Sequence, residues 1–276
     1  MPTNCLINGS AETQLSPWDR GLAYGDGVFR TLVVRHGRPQ GWHRQYRKLA
    51  EDCRALGIAC PGSEELLADM RRLCGDDAAV CVKIIVTRGA GMRGYAVPAP
   101  AEPCRILLKS PLPDYPAQNY AAGVRLHLCR LRLSRQPQLA GIKHLNRLEN
   151  VLARMEWEDA QIADGLLLDA DDLVIECSMS NIFMRSGNTL RTPDLSRCGV
   201  AGVTRQRIIE AAPQLGYRAE IGDMTLPELL RADEVIICNS LYGAWQVRAL
   251  QDSTWPAGYL ASQLCNYLNE ENAAAE

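Results

Sequence analysis

Gly141-Ile142-Lys143-His144-Leu145-Asn146-Arg147 is the stretch on which the reading of this chain turns. A glycine before the lysine and a helical apolar pattern after it make a strand-to-helix junction, with a helix expected from about His144. The apolar stripe of that helix would be Leu145, Leu148, Val151, Leu152 and Met155, with Arg147, Glu149, Arg154 and Glu158 on other faces. His144, one helical step from Lys143, would point away from it. A lysine held at such a junction cannot wander far. If its surroundings exclude water, the ammonium is disfavoured and the free amine becomes a Schiff-base nucleophile and a proton carrier. The alternative is a solvated lysine near a helix start.

Upstream, Val124, Leu126 and Leu128 alternate with Arg125, His127 and Cys129, the period of a half-buried strand. Before that, Ser110 to Asn119 carries three prolines, which argues against regular helix and places a linker at 113–120. Residues 1–112 then form a small α+β domain. Val28 to Val34 and Val80 to Thr87 read as strands, and Trp42, Tyr46, Leu49, Ala50, Cys53 and Leu56 as one face of a helix that stops at Gly57. Downstream, Leu166–Asp169, Leu173–Glu176, Asn181–Arg185 and Glu234–Cys238 are short strands. A helix at Thr204 to Leu215 interrupts them, with Pro213 disturbing its last turn. Residues 121–276 therefore read as a larger domain of mainly antiparallel strands, and Glu271 to Glu276 as a frayed polar tail.

The chain has 276 residues, 47% of them apolar, and 30 Lys+Arg against 32 Asp+Glu. That composition excludes disorder and leaves no basic field for nucleic acid or an anionic membrane surface. Met1 to Cys5 shows no leader-like pattern, and no apolar run reaches the roughly 18 residues of a membrane span. A cytoplasmic protein is expected. The eleven cysteines are odd in number and include no Cys-x-x-Cys pair, which speaks against a disulfide framework and a zinc site. Cys53, Cys60, Cys74 and Cys81, at intervals of seven and fourteen, read as packing residues and not as metal ligands.

Two further segments carry chemistry. Glu176 follows Leu173-Val174-Ile175 and precedes the small polar turn Cys177-Ser178-Met179-Ser180-Asn181. A carboxylate delivered by a buried strand needs a fixed partner, and a protonated ring nitrogen fits. Gly199-Val200-Ala201-Gly202-Val203-Thr204-Arg205 opens a helix whose free N–H groups suit a phosphate, although Thr204 could be a simple cap. A lysine for a Schiff base, an acid for a pyridinium and a helix start for a phosphate are what pyridoxal 5'-phosphate requires of a protein.

With those three motifs, and with Asp19-Arg20-Gly21 and Tyr24-Gly25-Asp26-Gly27-Val28-Phe29, the chain resembles the fold-type-IV pyridoxal-phosphate enzymes, the class-IV aminotransferase family. The resemblance spans about residue 5 to residue 250. It implies a two-domain fold whose larger domain is a pseudo-barrel, and a homodimer. It implies that Lys143 binds the cofactor covalently, that Glu176 pairs with its ring nitrogen, and that Val203, Thr204 and Ser240 hold its phosphate. At the position where relatives place a phosphate-binding arginine stands Lys48, with Arg47 and Arg44 as alternatives.

Leu139 to Glu149, Thr87 to Tyr95 and Ala232 to Asn239 are similar to the members of the family that split aminodeoxychorismate into 4-aminobenzoate and pyruvate, a lyase step towards folate. That likeness implies Arg93, Tyr95 and Asn239 as substrate-binding groups, and Thr31 as the hydroxyl that donates a proton to the departing enolpyruvyl methylene. D-amino-acid aminotransferases resemble the same loop with a histidine in place of Tyr95, and branched-chain aminotransferases carry glycine in place of Thr31. An aminotransferase of either kind is the alternative. By residue type alone, Thr31 is an ordinary β-branched strand residue.

Overall fold

The computed structural model describes residues 4–12 and 14–274, with the backbone alone at 273 and 274. The chain forms two compact units. One comprises the residues up to Pro113 together with Ile142–Asn146, the other Asp114–Gly141 and the residues from Arg147 onward.

The first unit contains β1 (Cys5–Ile7), α1 (Arg20–Tyr24), β2 (Gly27–Arg35), β3 (Arg38–Pro39), α2 (Trp42–Ala55), α3 (Ser63–Cys74), β4 (Val80–Thr87) and β5 (Cys104–Ser110). Its sheet runs β1-β5-β4-β2-β3, every pair antiparallel. Period-two alternation splits β2 into two faces. Val28, Leu32 and Val34 join Leu49 and Cys53 of α2 and Leu66, Met70 and Leu73 of α3 in one core. Phe29 and Thr31, half-buried, look the other way. α2 obeys its helical spacing and stops at Gly57, whose φ of +63° suits a residue without Cβ. Leu49 is fully buried, and its truncation to alanine would cost about 2–5 kcal/mol.

The second unit contains α4 (Ala117–Ala121), β6 (Val124–Leu133), α5 (Leu148–Arg154), β7 (Ile162–Asp169), β8 (Val174–Cys177), β9 (Asn181–Ser186), β10 (Thr189–Pro193), α6 (Val203–Ala211), β11 (Arg218–Gly222), α7 (Leu226–Leu230), β12 (Glu234–Asn239), β13 (Gly243–Leu250), β14 (Ser253–Thr254) and α8 (Leu260–Ala274). The sheet order is β11-β10-β9-β12-β13-β6-β7-β8, with β14 beside β13. Three pairings are parallel, β10 with β11, β13 with β6 and β6 with β7; the others are antiparallel. Val174 N–H donates to the Met224 carbonyl (2.8 Å) and Leu173 bridges Thr225. One margin of the sheet is thereby tied to the segment after the other, and the sheet curls into a pseudo-barrel. Leu166, Ile182, Val235, Ile237, Trp245 and Val247 fill one core, and α6 and α8 cover Phe183, Ile236 and Ala244 on the opposite face.

Four sequence expectations need correction. Residues 144–147 are not helical, because 143–145 are captured as an extended segment against the start of β2, and the helix begins only at Leu148. His144 is therefore not turned aside by a helix. Its apolar stripe is also not core: Leu148, Val151, Leu152 and Met155 are all more than half exposed within this chain. Second, α4 forms directly after Pro116, which occupies the N-cap, where its missing N–H breaks no helical bond. Third, the expected end of α6 is refined: the last turn, which Pro213 was expected to disturb, is a 3-10 turn at Ala212–Leu215 with Pro213 at its start. Fourth, α8 continues to Ala274 where fraying was expected from Glu271; the last two residues, like Met1–Thr3, lie outside the described residues.

Candidate active site

In the first unit, the segment bearing Lys143 is fixed through its main chain. Phe29 N–H donates to the Lys143 carbonyl (2.9 Å), Leu145 N–H to the Gly27 carbonyl (2.9 Å), and Lys143 N–H to Asp52 Oδ2 (3.3 Å). Asn146 Nδ2 reaches the Gly25 carbonyl (3.2 Å). The glycines of Tyr24-Gly25-Asp26-Gly27 permit this approach. A Cβ on Gly27 would lie 2.6 Å from the Val86 carbonyl and 2.8 Å from Leu145, and Gly25 has φ +67°. With its backbone so held, Lys143 retains only side-chain freedom.

The Lys143 ammonium lies 4.6 Å from the centroid of the Phe29 ring. Thr31 is two residues along β2, on the same face. Lys83, paired with Thr31 across β2 and β4, places its own ammonium 4.6 Å from that ring. Sequence reading did not single out Lys83, and only the register of two strands reveals it.

Asp52, fully buried in α2, is the second residue missed. It accepts from Arg30 Nη2 (3.1 Å) and from the Lys143 amide, and pairs with Lys48 one helical turn earlier. The Lys48/Asp52 spacing of four was the available signal. Burial draws the Lys48 ammonium below its ordinary pKa, against the Asp52 carboxylate, which raises it. Of the basic residues considered on α2, Lys48 faces inward, whereas Arg47 is half exposed and sits 4.0 Å from Glu51. Arg93 and Tyr95 lie on an exposed loop of this unit. Among the described residues, no hydrogen bond, ion pair or ring contact links them to Lys143 or Thr31; Tyr95 meets the ring of Tyr24 (5.4 Å) and, by its carbonyl, Arg20.

In the second unit, β8 delivers Glu176 into a buried position, where its Oε2 accepts from the Val200 amide (2.8 Å). Asn181, at the start of β9, clamps the glycine loop twice: Nδ2 donates to the Val200 carbonyl (2.8 Å) and Oδ1 accepts from Gly202 N–H (3.2 Å). A Cβ on Gly202 would lie 2.2 Å from that Oδ1, so the loop has no room for a side chain there. Gly202 is the N-cap of α6 and no side chain caps the helix, leaving the Val203 and Thr204 amides, which have no partner within it, to define its positive end. Thr204 is thus inside the first turn and is not the cap. Its hydroxyl lies 3.4 Å from that of Ser240. Arg205, buried and bonded to Thr192 and the Pro193 carbonyl, anchors the turn.

Gly141 N–H donates to the Gly199 carbonyl (2.9 Å) and the Ala201 amide to the Gly141 carbonyl (3.1 Å), so the glycine loop is also bound to the residue from which the chain leaves this unit. The turn between Glu176 and Asn181 rests on Asp164, a fully buried acid invisible to sequence reading. It accepts from the hydroxyls of Ser178 and Ser180 (2.6 Å each), and Ser180 meets the Tyr242 hydroxyl at 2.6 Å. Burial raises the Asp164 pKa, opposed by those hydroxyls. Asn239 spends its Oδ1 on the Leu241 and Tyr242 amides (2.9 and 3.1 Å), and its Nδ2 makes only a long contact to the Met179 carbonyl (3.4 Å).

The second unit can hold a phosphate at an uncapped helix start and a buried carboxylate in fixed orientation, and the first unit presents an amine on a backbone held by hydrogen bonds. Pyridoxal phosphate fits that donor set. No group of three or more metal-ligating side chains occurs among the described residues.

A family model described as amino-transferase class IV matches residues 27–250. The chain is 34% identical to an aminodeoxychorismate lyase of Vibrio harveyi, over 95% of this chain and 98% of that protein. The crystal structure of 4-amino-4-deoxychorismate lyase from Pseudomonas aeruginosa matches with a TM-score of 0.92 at 48% identity, covering 97% of this chain and 98% of that one. The branched-chain amino acid aminotransferase of Escherichia coli shares the fold, with a TM-score of 0.83 at 19% identity over 96% of this chain and 93% of that one.

Proposed function

The chain belongs to the amino-transferase class IV family and has the type-IV fold of pyridoxal-phosphate enzymes, and from that premise we propose that it is a lyase converting 4-amino-4-deoxychorismate to 4-aminobenzoate and pyruvate with pyridoxal 5'-phosphate as cofactor. Besides the likeness to the two lyases, the observation that carries the reading is local. A β-branched hydroxyl, Thr31, stands on the same face of β2 as the ring on which the Lys143 amine rests.

Each residue then has a task. Lys143 would hold the cofactor through its side-chain amine, and the same amine would take the proton from the substrate carbon that carries the nitrogen. Bound pyridoxal phosphate supplies the electron sink that makes this proton removable. Glu176, fixed by the Val200 amide, would keep a proton on the ring nitrogen of the bound cofactor. The amides of Val203 and Thr204, the hydroxyls of Thr204 and Ser240, and the Lys48 cation would hold the phosphate. Lys48 is preferred to Arg47 because it faces inward, tied to Asp52. Thr31 donates a proton to the departing enolpyruvyl methylene, and loss of that group leaves an aromatic ring, which drives the reaction. Arg93, Tyr95 and Asn239 receive the substrate carboxylate.

The protein is further proposed to act as a homodimer in the cytoplasm. The exposed apolar stripe of α5 is a surface that a second copy would cover, and eleven cysteines outside any disulfide suit a reducing compartment. No helix among the described residues is long and apolar enough to cross a membrane.

The test is to supply aminodeoxychorismate to the cofactor-loaded protein without any keto-acid acceptor and to quantify both products. Equal amounts of 4-aminobenzoate and pyruvate are expected. Neither product, together with turnover of a D-amino acid or branched-chain donor, would make it an aminotransferase. Lys143→Ala should lose the cofactor's absorbance band and turnover on either reading.

A further inference from the structure

Arg20 is exposed by only 4%, yet it sits on a helix of five residues at the edge of the first unit. Its guanidinium makes four hydrogen bonds, from all three of its nitrogens. Nε donates to Asp26 Oδ2 (2.8 Å), Nη1 to the carbonyls of Gly94 (3.0 Å) and Ala96 (3.2 Å), and Nη2 to that of Tyr95 (3.2 Å). One planar fork therefore collects three consecutive carbonyls of a loop that has no strand or helix of its own.

The base of this fork is rigid. Asp26 also accepts two bonds from Arg88 (2.8 and 3.0 Å), and Arg88 is itself fastened to the Leu56 and Gly57 carbonyls (2.7 and 2.8 Å). Asp19 caps α1 and receives the Thr87 hydroxyl (2.7 Å), and Arg20 N–H donates to the Gly89 carbonyl (2.9 Å). The loop in turn closes on Arg20. Gly94 has φ +105°, and a Cβ on Gly91 would come within 3.2 Å of the Arg20 side chain. The Gly94 amide donates to the Tyr24 hydroxyl (3.2 Å), and the Tyr24 ring lies against the face of Arg20 (5.0 Å). The side chains this loop displays, Arg93 and Tyr95, are exposed, so the course of the backbone, with the Tyr24 ring 5.4 Å from that of Tyr95, directs them.

We propose that Arg20 is a positioning residue for substrate recognition, setting the course of the loop 92–97 and hence the direction of Arg93 and Tyr95. The inference rests on the reading that those two side chains grip the substrate carboxylate. A lysine in its place can keep the Asp26 ion pair but cannot span three carbonyls from one tetrahedral nitrogen.

The experiment compares wild type with Arg20→Lys and Arg20→Gln as cofactor-loaded proteins. For aminodeoxychorismate, KM should rise about tenfold or more in both variants while kcat stays within about threefold, the signature of lost binding common to ground and transition states. The cofactor absorbance band should be unchanged, which a general folding defect would not allow. A KM within twofold of wild type, or a loss confined to kcat, overturns the inference. Hydrogen exchange of the 92–97 amides is measured alongside and should be at least about tenfold faster in Arg20→Gln. If wild type itself fails to release 4-aminobenzoate and pyruvate, the functional reading falls separately, and unchanged exchange in the loop would then overturn the role of Arg20 by itself.

Discussion

Replacing Asp52 with asparagine tests the polar joint beneath Lys143. The substitution preserves shape and removes one charge. Asp52 is 1% exposed and faces Arg30, 4% exposed at its side chain, with Lys48 on its other oxygen and the Lys143 amide at 3.3 Å. Deleting one partner of a buried pair costs about 3–5 kcal/mol, because the remaining charge stays desolvated. At about 2–4 °C per kcal/mol, the unfolding temperature should fall by roughly 6–20 °C. The assay is thermal unfolding of wild type, Asp52→Asn and Asp52→Asn/Arg30→Met at neutral pH. The double variant should regain part of the loss, since methionine removes the stranded guanidinium. A drop of less than about 2 °C in the single variant, or no recovery in the double, would refute the view that Asp52 neutralises a buried cation here.

Thr31→Val keeps volume and β-branching but lacks the hydroxyl. Its 4-aminobenzoate production should fall about 100-fold or more with the cofactor band intact, and retained turnover would remove Thr31 from the chemistry. Asp26 has its pKa held below the ordinary 3.8: burial pushes it up, but the hydrogen bonds and charges of Arg88 and Arg20 outweigh that. Its contribution to stability is therefore complete above the unfolded-state value and is lost as pH falls through the folded one, so acid titration of unfolding should be less steep in Asp26→Asn than in wild type. Leu152→Glu in the exposed stripe of α5 should convert the proposed dimer to monomer by light scattering; a dimer of unchanged strength would place the interface elsewhere, and a monomeric wild type would remove the dimer itself.

Most elements were legible because local chemistry and tertiary packing agree about them. The spacing of Trp42, Tyr46, Leu49 and Cys53 marks α2, and the alternating or β-branched runs mark β2, β4, β9 and β12. Site residues were legible in kind: a lysine at a junction, an acid ending a buried strand, a glycine loop before a helix. Val200 and Asn181 then show how that loop is shaped, which the sequence could name but not arrange.

What the sequence determined by itself is the inventory of amphipathic segments, turns and reactive groups, since each depends on neighbours within a few residues. Tertiary structure decided the rest. The extended course of 143–145 follows from the open edge that the first residues of β2 offer, and helical spacing alone assigned it wrongly. The exposure of Leu148, Val151, Leu152 and Met155 depends on what the second unit has left to bury. Beyond its helical neighbour Lys48, Asp52 acquires its role from partners 22 to 91 residues away, and Lys83, Arg20 and Asp164 acquire theirs from partners 52, 6 to 76 and 14 to 16 residues away, respectively. A periodicity of two or 3.6 carries no information over such separations, so only the folded chain could bring those charges into contact.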